Sequence, residues 1–88
     1  ARWQALQLLQ AAGAISDLRA HREWPLIVQG FHIATYIDDA SYLQDGLRVI
    51  EDSKGQILDE YVIKAKLFNV LYAPLKITEI KSTRRKSR

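Results

Sequence analysis

One short stretch of the chain combines acidic and basic side chains in a pattern that suits hydrolytic chemistry. Residues 49–55 (VIEDSKG) run from apolar side chains into an acid, then Lys two positions later, then Gly. Strand side chains two positions apart point to the same face, so Asp52 and Lys54 would share one face. A second acidic pair, Asp38 and Asp39, lies upstream at the end of another apolar run.

Two carboxylates and one ammonium group in a small pocket favour a metal site. Carboxylates brought this close repel each other unless a cation lies between them. Mg²⁺ prefers oxygen ligands and commonly takes only one or two carboxylates, together with water and phosphate oxygens. The pattern therefore indicates metal-assisted attack of water on a phosphodiester. Taken alone, acid-x-Lys is also typical of an exposed strand end with a loose ion pair, which contributes little.

Apolar periodicity predicts the elements that must position these side chains, in the order α-β-β-β-α-β. The helices are predicted at 1–12 and from 58 to about 73, and a connector at 14–22. The strands are predicted at 24–28, 31–37 (with a continuation towards Leu43), 47–54 and 75–80. We expect the first three strands to form a meander, because Asp45-Gly46 favours a tight turn. The last strand should run parallel to the third through a right-handed crossover.

Length, charge and cysteine content narrow the class of protein. The 88 residues suffice for one domain at 1–81, followed by a basic and mobile tail at 82–88. The absence of cysteine excludes disulfides, thiolate zinc sites and a catalytic thiol. The chain starts at Ala1 and contains no Met, so we expect either a trimmed N-terminus or a start that lies before Ala1. No apolar run approaches the length of a membrane span, which favours a cytoplasmic protein without membrane contact.

The charge of the chain is distributed unevenly. Residues 1–53 carry four basic and seven acidic side chains (net −3), whereas residues 54–88 carry nine basic and three acidic ones (net +6). Acidic residues gather at the predicted pocket, and basic residues follow it. A polyanionic partner would suit this distribution, with a metal ion between the acidic pocket and the phosphates. A solvated basic tail is the simpler reading.

Residues of three consecutive segments fit one pattern: Tyr36, Asp39, Ala40 and Tyr42; then VIEDSKG at 49–55; then Tyr61, Lys64, Lys66 and Leu67. In order and spacing they resemble the PD-(D/E)XK nuclease superfamily. Within it, they resemble a phage and prophage family of small endonuclease-like proteins related to Holliday-junction resolvases. That family's pattern is Tyr-x-x-Asp-Phe-x-Tyr, Val-Glu-Asp-x-Lys-Gly and Tyr-x-x-Lys-x-Lys-Leu. The stretches 13–18 (GAISDL) and 24–30 (WPLIVQG) resemble the family as well, so the likeness spans roughly residues 1–81.

The resemblance implies an α/β restriction-endonuclease-like fold, a mixed central sheet flanked by helices. It implies a Mg²⁺-dependent DNA endonuclease, with Mn²⁺ as an alternative ion. Asp39 and Asp52 would be catalytic metal ligands, and the backbone carbonyl of Ser53 a third ligand. Lys54 would be catalytic, orienting or deprotonating the attacking water and stabilising charge on the phosphate.

Two acidic residues beside these positions are secondary candidates as ligands. Asp38 stands where the family has Pro or a small residue. Glu51 shares a face with Ser53, opposite Asp52, so strand alternation makes it the poorer ligand unless a bulge reverses the faces.

The resemblance also implies DNA as the partner and a homodimer that cuts two strands. Five basic residues are the candidate DNA contacts: Lys64, Lys66, Arg84, Arg85 and Lys86. A phage-derived enzyme would act in the cytoplasm of a bacterial host, on branched DNA among other structures. The family's aromatic residue after the Asp is Ala40 here, and its first-helix Glu would precede Ala1. Two alternatives therefore stay open: an inactive DNA-binding or interaction module with the nuclease fold, and a small structural protein with an incidental acid-x-Lys.

Overall fold

A computed structural model describes residues 2–54 and 58–81 of the chain. Within these ranges two helices form, α1 (Arg2–Ala11) and α2 (Asp59–Leu71). The strands in these ranges are β1 (Ser16–Ala20), β2 (Glu23–Val28), β3 (Phe31–Ile37), β4 (Ala40–Gln44), β5 (Leu47–Lys54) and β6 (Ile77–Lys81). The predicted tail, with Arg84, Arg85 and Lys86, lies outside the described residues, as does the side chain of Lys54.

The main sheet is mixed, as predicted. Its four strands lie in the order β1-β4-β5-β6. β4 pairs antiparallel with both β1 and β5, whereas β6 pairs parallel with β5. α2 connects the two parallel strands, so the predicted parallel partner of the 47–54 strand is confirmed. β2 and β3 form a separate antiparallel hairpin.

The predicted number of strands before α2 is wrong, because residues 14–22 contain β1 instead of a connector. This strand lacks the apolar alternation that marks a strand in sequence, and its pairing with β4 shifts register between Ser16 and Arg19. Asp17 adopts φ 52°. Its carboxylate binds the guanidinium groups of Arg19, Arg22 and Arg48. The hydrogen bonds from Arg48 and Arg19 lower the pKa of Asp17 to about 2. The ion pair with Arg48 on β5, which is distant in sequence, therefore supports a strand that local sequence does not favour.

The predicted continuation of the second strand towards Leu43 is also wrong, and so is the meander. β3 ends at Ile37, and β4 begins at Ala40. β3 pairs with β2, whereas β4 pairs with β5. The chain changes sheets at Asp38, whose backbone N–H donates to the Arg22 carbonyl at 3.2 Å and whose carboxylate accepts from the Arg22 N–H at 2.9 Å. Both bonds tie the end of the hairpin to the start of β2.

The two helices lie on opposite faces of the main sheet. Leu6 of α1 packs on one face in a cluster with Ile15, Ala40 and Tyr42. Phe68 of α2 packs on the other face in a cluster with Leu26, Tyr36 and Ile50. The pairing of Ala40 with Glu51 puts their side chains on the α1 face, so Ile50 and Asp52 point to the α2 face. The expected mixed sheet flanked by helices is therefore observed.

Each helix buries one central side chain of its predicted apolar stripe. Leu6 in α1 and Phe68 in α2 are fully buried, whereas Trp3 is 37% exposed. α1 ends before Gly13, which adopts φ 84° and favours a helix stop. In the described part of the chain, neither helix is both long and apolar enough to cross a membrane.

Candidate active site

The antiparallel register of β4 and β5 brings Asp39 beside Asp52. Ala40 pairs with Glu51, so the residue before Ala40 lies next to the residue after Glu51. Two hydrogen bonds hold this position: Asp39 N–H donates to the Glu51 carbonyl at 3.1 Å, and Ser53 N–H donates to Asp39 Oδ2 at 2.7 Å. The predicted juxtaposition of two acidic segments is therefore present. Asp39 directly precedes β4, whereas the sequence predicted it at the end of the strand that pairs with β5.

The Asp52 side chain is held from the α2 face of the sheet. It is 3% exposed. The hydroxyl of Tyr36 on β3 donates to Asp52 Oδ2 at 2.5 Å. Burial raises the pKa of Tyr36 well above its usual value, and the bond to Asp52 raises it further, so the hydroxyl stays protonated as a donor. Asp52 is thus a buried carboxylate with an aromatic hydroxyl fixed against it.

An open cleft of about 270 Å³ leads to Asp52 between β3, the end of β5 and the start of α2. Its lining combines polar groups with apolar walls: Thr35, Tyr36, Ile37, Asp52, Leu58, Glu60, Tyr61 and Lys64. Lys64 Nζ lies 3.3 Å from Glu60 Oε2 one turn earlier in α2. The predicted DNA contact Lys64 therefore lies in the same cleft as the predicted ligand Asp52. Lys66, its companion in the pattern, is exposed on α2.

Two tyrosines of this cleft were not predicted as site residues. Tyr36 and Tyr61 belong to the nuclease-like pattern, but the resemblance assigned neither of them a role as a ligand or a DNA contact. The Tyr61 hydroxyl donates to Glu79 Oε2 on β6 at 2.8 Å, and burial raises the pKa of Tyr61 above its usual value. The position of Tyr36 three residues before Asp39 is the sequence signal that points to the site.

Glu51 lies on the other face of β5, where it attaches α1 to the sheet. Its carboxylate accepts from Arg2 Nε at 2.9 Å and Nη2 at 2.5 Å, and also from the Tyr42 hydroxyl. Burial opposes ionisation of Glu51, but the bonds from Arg2 and Tyr42 outweigh it, so its pKa lies below its usual value. Burial and the bond to Glu51 raise the pKa of Tyr42 to about 12. Glu51 and Asp52 therefore point to opposite faces of β5, as strand alternation predicted.

Asp38, the other secondary candidate, is fully buried beneath the turn that carries Asp39. Its Oδ1 accepts from the Arg22 N–H, and its Oδ2 accepts from Trp24 Nε1, both at 2.9 Å. Each carboxylate oxygen therefore has a donor from β2 or the residue before it. These contacts describe a structural anchor for the turn.

The donor set at Asp39 and Asp52 fits a hard divalent cation in its chemistry. Two carboxylates and the Ser53 carbonyl supply the oxygen donors that Mg²⁺ prefers, and Mg²⁺ needs only one or two carboxylates. Among residues 2–54 and 58–81, no group of three His, Cys, Asp or Glu could hold a metal ion. A two-carboxylate site is compatible with that finding.

Comparison with known proteins gives a family but no described relative. No curated protein and no solved structure shows significant similarity to the chain. One family, described as "Protein of unknown function (DUF1064)", matches residues 1–87. The match covers almost the whole sequence, and the chain therefore belongs to the DUF1064 family.

Proposed function

We propose that the protein is a metal-dependent endonuclease that hydrolyses phosphodiester bonds in DNA. The observation that carries this proposal is the β4–β5 register, which sets Asp39 beside Asp52 and Ser53 through the 2.7 Å bond from the Ser53 N–H. Two carboxylates held side by side repel each other, and Asp52 borders an open cleft, so a cation-binding role is favoured over a structural one. The resemblance of 36–67 to the nuclease pattern points to the same chemistry.

The proposed site residues have two roles, metal binding and positioning of the phosphate. Asp39, Asp52 and the Ser53 carbonyl would hold Mg²⁺ or Mn²⁺. The bound ion would lower the pKa of its water and neutralise developing charge. Lys54 would orient the attacking water and stabilise negative charge on the phosphate. Lys64, which lines the cleft with Asp52, would position a phosphate of the substrate.

The charge distribution favours a nucleic acid as the substrate. Residues 54–88 carry a net charge of +6, whereas four of the seven acidic residues in 1–53 are the two pairs at 38–39 and 51–52. Basic residues that neutralise phosphates would give salt-dependent affinity without sequence preference. A homodimer acting on branched phage DNA in a bacterial cytoplasm completes the proposal and rests on the resemblance alone.

Cleavage of plasmid, single-stranded and four-way-junction DNA in Mg²⁺ or Mn²⁺ tests this function. We expect the wild type to cut at least one substrate, and Asp39→Ala and Lys54→Ala to lose at least about 100-fold in rate, the contribution of a positioned catalytic group. Asp45→Asn is the matched control. Asp45 is an exposed acid in the β4–β5 turn, at the other end of β5 from Asp52.

Two outcomes would contradict the proposal in different ways. Cleavage at the wild-type rate by both Asp39→Ala and Lys54→Ala would overturn the assignment of the site. Wild-type protein that binds these DNAs in salt-dependent fashion without cutting any of them would replace hydrolysis with the alternative of an inactive binding module.

A further inference from the structure

Two buried tyrosine hydroxyls bind consecutive carboxylates of β5 from opposite faces of the sheet. Tyr36 donates to Asp52 on the α2 face, and Tyr42 donates to Glu51 on the α1 face. Tyr36 and Tyr42 are similarly buried, at 3% and 5% exposure. The two pairs have different neighbours. Arg2 of α1 also binds Glu51, whereas Tyr36 and Asp52 both line the cleft.

The ring of Tyr36 is fixed by aromatic packing. Its centroid lies 5.4 Å from that of Phe68, at an interplanar angle of 59°. Phe68 is fully buried and is itself packed against Tyr72 at 4.9 Å and Trp24 at 5.3 Å. Interiors packed in this way hold side chains in defined rotamers. The Tyr36 hydroxyl is therefore presented to Asp52 from a rigid position.

A carboxylate needs such a support to serve as a defined ligand. The terminal torsion of Asp is broad, so an unanchored carboxylate samples many orientations. A hydrogen bond of 2.5 Å to Oδ2 restricts that rotation. Outer groups that orient a ligating side chain in this way tune the affinity of a metal site.

We propose that Tyr36 is a positioning residue that holds the Asp52 carboxylate in the orientation required for metal binding. This inference rests on the proposed function, in which Asp52 is a metal ligand. Metal affinity would then depend on the β2–β3 hairpin, which carries Tyr36, and on the aromatic side chains that pack against it.

Calorimetric titration with Mn²⁺ in the absence of DNA tests the inference on the wild type, Tyr36→Phe and Tyr42→Phe. Each variant removes one buried hydroxyl that binds a β5 carboxylate, so both should lose stability in urea unfolding. We expect Tyr36→Phe to bind Mn²⁺ about 10- to 100-fold more weakly. Tyr42→Phe should keep the wild-type affinity, and Asp52→Ala should lose binding altogether.

The outcomes separate this inference from the function on which it rests. Wild-type affinity in Tyr36→Phe, with binding that Asp52→Ala abolishes, would overturn the positioning role and leave the metal site in place. Equal weakening in Tyr36→Phe and Tyr42→Phe would show a general structural effect and overturn it too. Wild-type protein without saturable Mn²⁺ binding would overturn both proposals. If Tyr36→Phe fails to fold, 4-fluorophenylalanine at position 36 fills the hydroxyl space without donating, and the same expectations apply.

Discussion

Asp38→Ala should lower the free energy of unfolding by about 2–4 kcal/mol, whereas Asp39→Ala should lower it by less than about 1 kcal/mol. The two residues are neighbours in sequence, but Asp38 is fully buried and Asp39 is exposed. Loss of the Asp38 carboxylate leaves the Arg22 N–H and Trp24 Nε1 without their acceptor. Loss of Asp39 removes one bond, from the Ser53 N–H, where water can replace it.

Urea unfolding of both variants, followed by tryptophan fluorescence, measures this difference directly. Trp24 reports on the site because its indole donates to Asp38. Asp38→Asn serves as the conservative control, since it keeps one acceptor oxygen and should recover part of the lost stability. Equal free energies of unfolding for Asp38→Ala and Asp39→Ala would contradict the structural role of Asp38 and return it to the candidate ligands.

Asp52→Asn should lower activity, whereas Glu51→Gln, at the neighbouring position, should lower stability and leave activity unchanged. Asp52→Asn should reduce metal-dependent DNA cleavage by about 10²- to 10³-fold, because it removes a charged ligand of the proposed site. Glu51→Gln should cut DNA at the wild-type rate but lose about 1–2 kcal/mol of stability, because it weakens the attachment of α1 through Arg2. The loss stays small because the Arg2 side chain is 46% exposed, so solvent screens part of the ion pair.

Single-turnover cleavage and urea unfolding of the same preparations check both halves of this prediction. Each variant replaces one β5 carboxylate by an amide, so each controls for the loss of negative charge in the other. Full activity in Asp52→Asn, together with loss of activity in a stably folded Glu51→Gln, would place the chemistry on the α1 face and contradict the proposed site.

Apolar periodicity and turn residues predicted one helix, one turn and one strand pairing of the fold. The helix predicted from 58 to about 73, the β4–β5 turn at Asp45-Gly46 and the parallel pairing of β5 with β6 are confirmed. The proximity of Asp39 and Asp52 was also predictable, since both acids follow apolar runs and match one family pattern. The roles of these acids as ligands stay predictions.

Contacts distant in sequence explain what the pattern missed. β1 has no apolar alternation and is supported by the ion pair of Asp17 with Arg48 on β5. The break between β3 and β4 depends on bonds from Asp38 back to residues 22 and 24, which no local signal reveals. The bond from Tyr36 to Asp52 likewise joins two strands that do not pair with each other.

The most direct measurement is anomalous diffraction from crystals of the protein soaked with Mn²⁺ at a concentration that supports DNA cleavage. If Asp39 and Asp52 form one metal site, an anomalous peak will lie within coordinating distance of both carboxylates and of the Ser53 carbonyl. It will be absent from crystals of Asp52→Asn. A peak only at other residues, or none beside Asp39 and Asp52 in crystals of the active wild type, would contradict the proposed metal site.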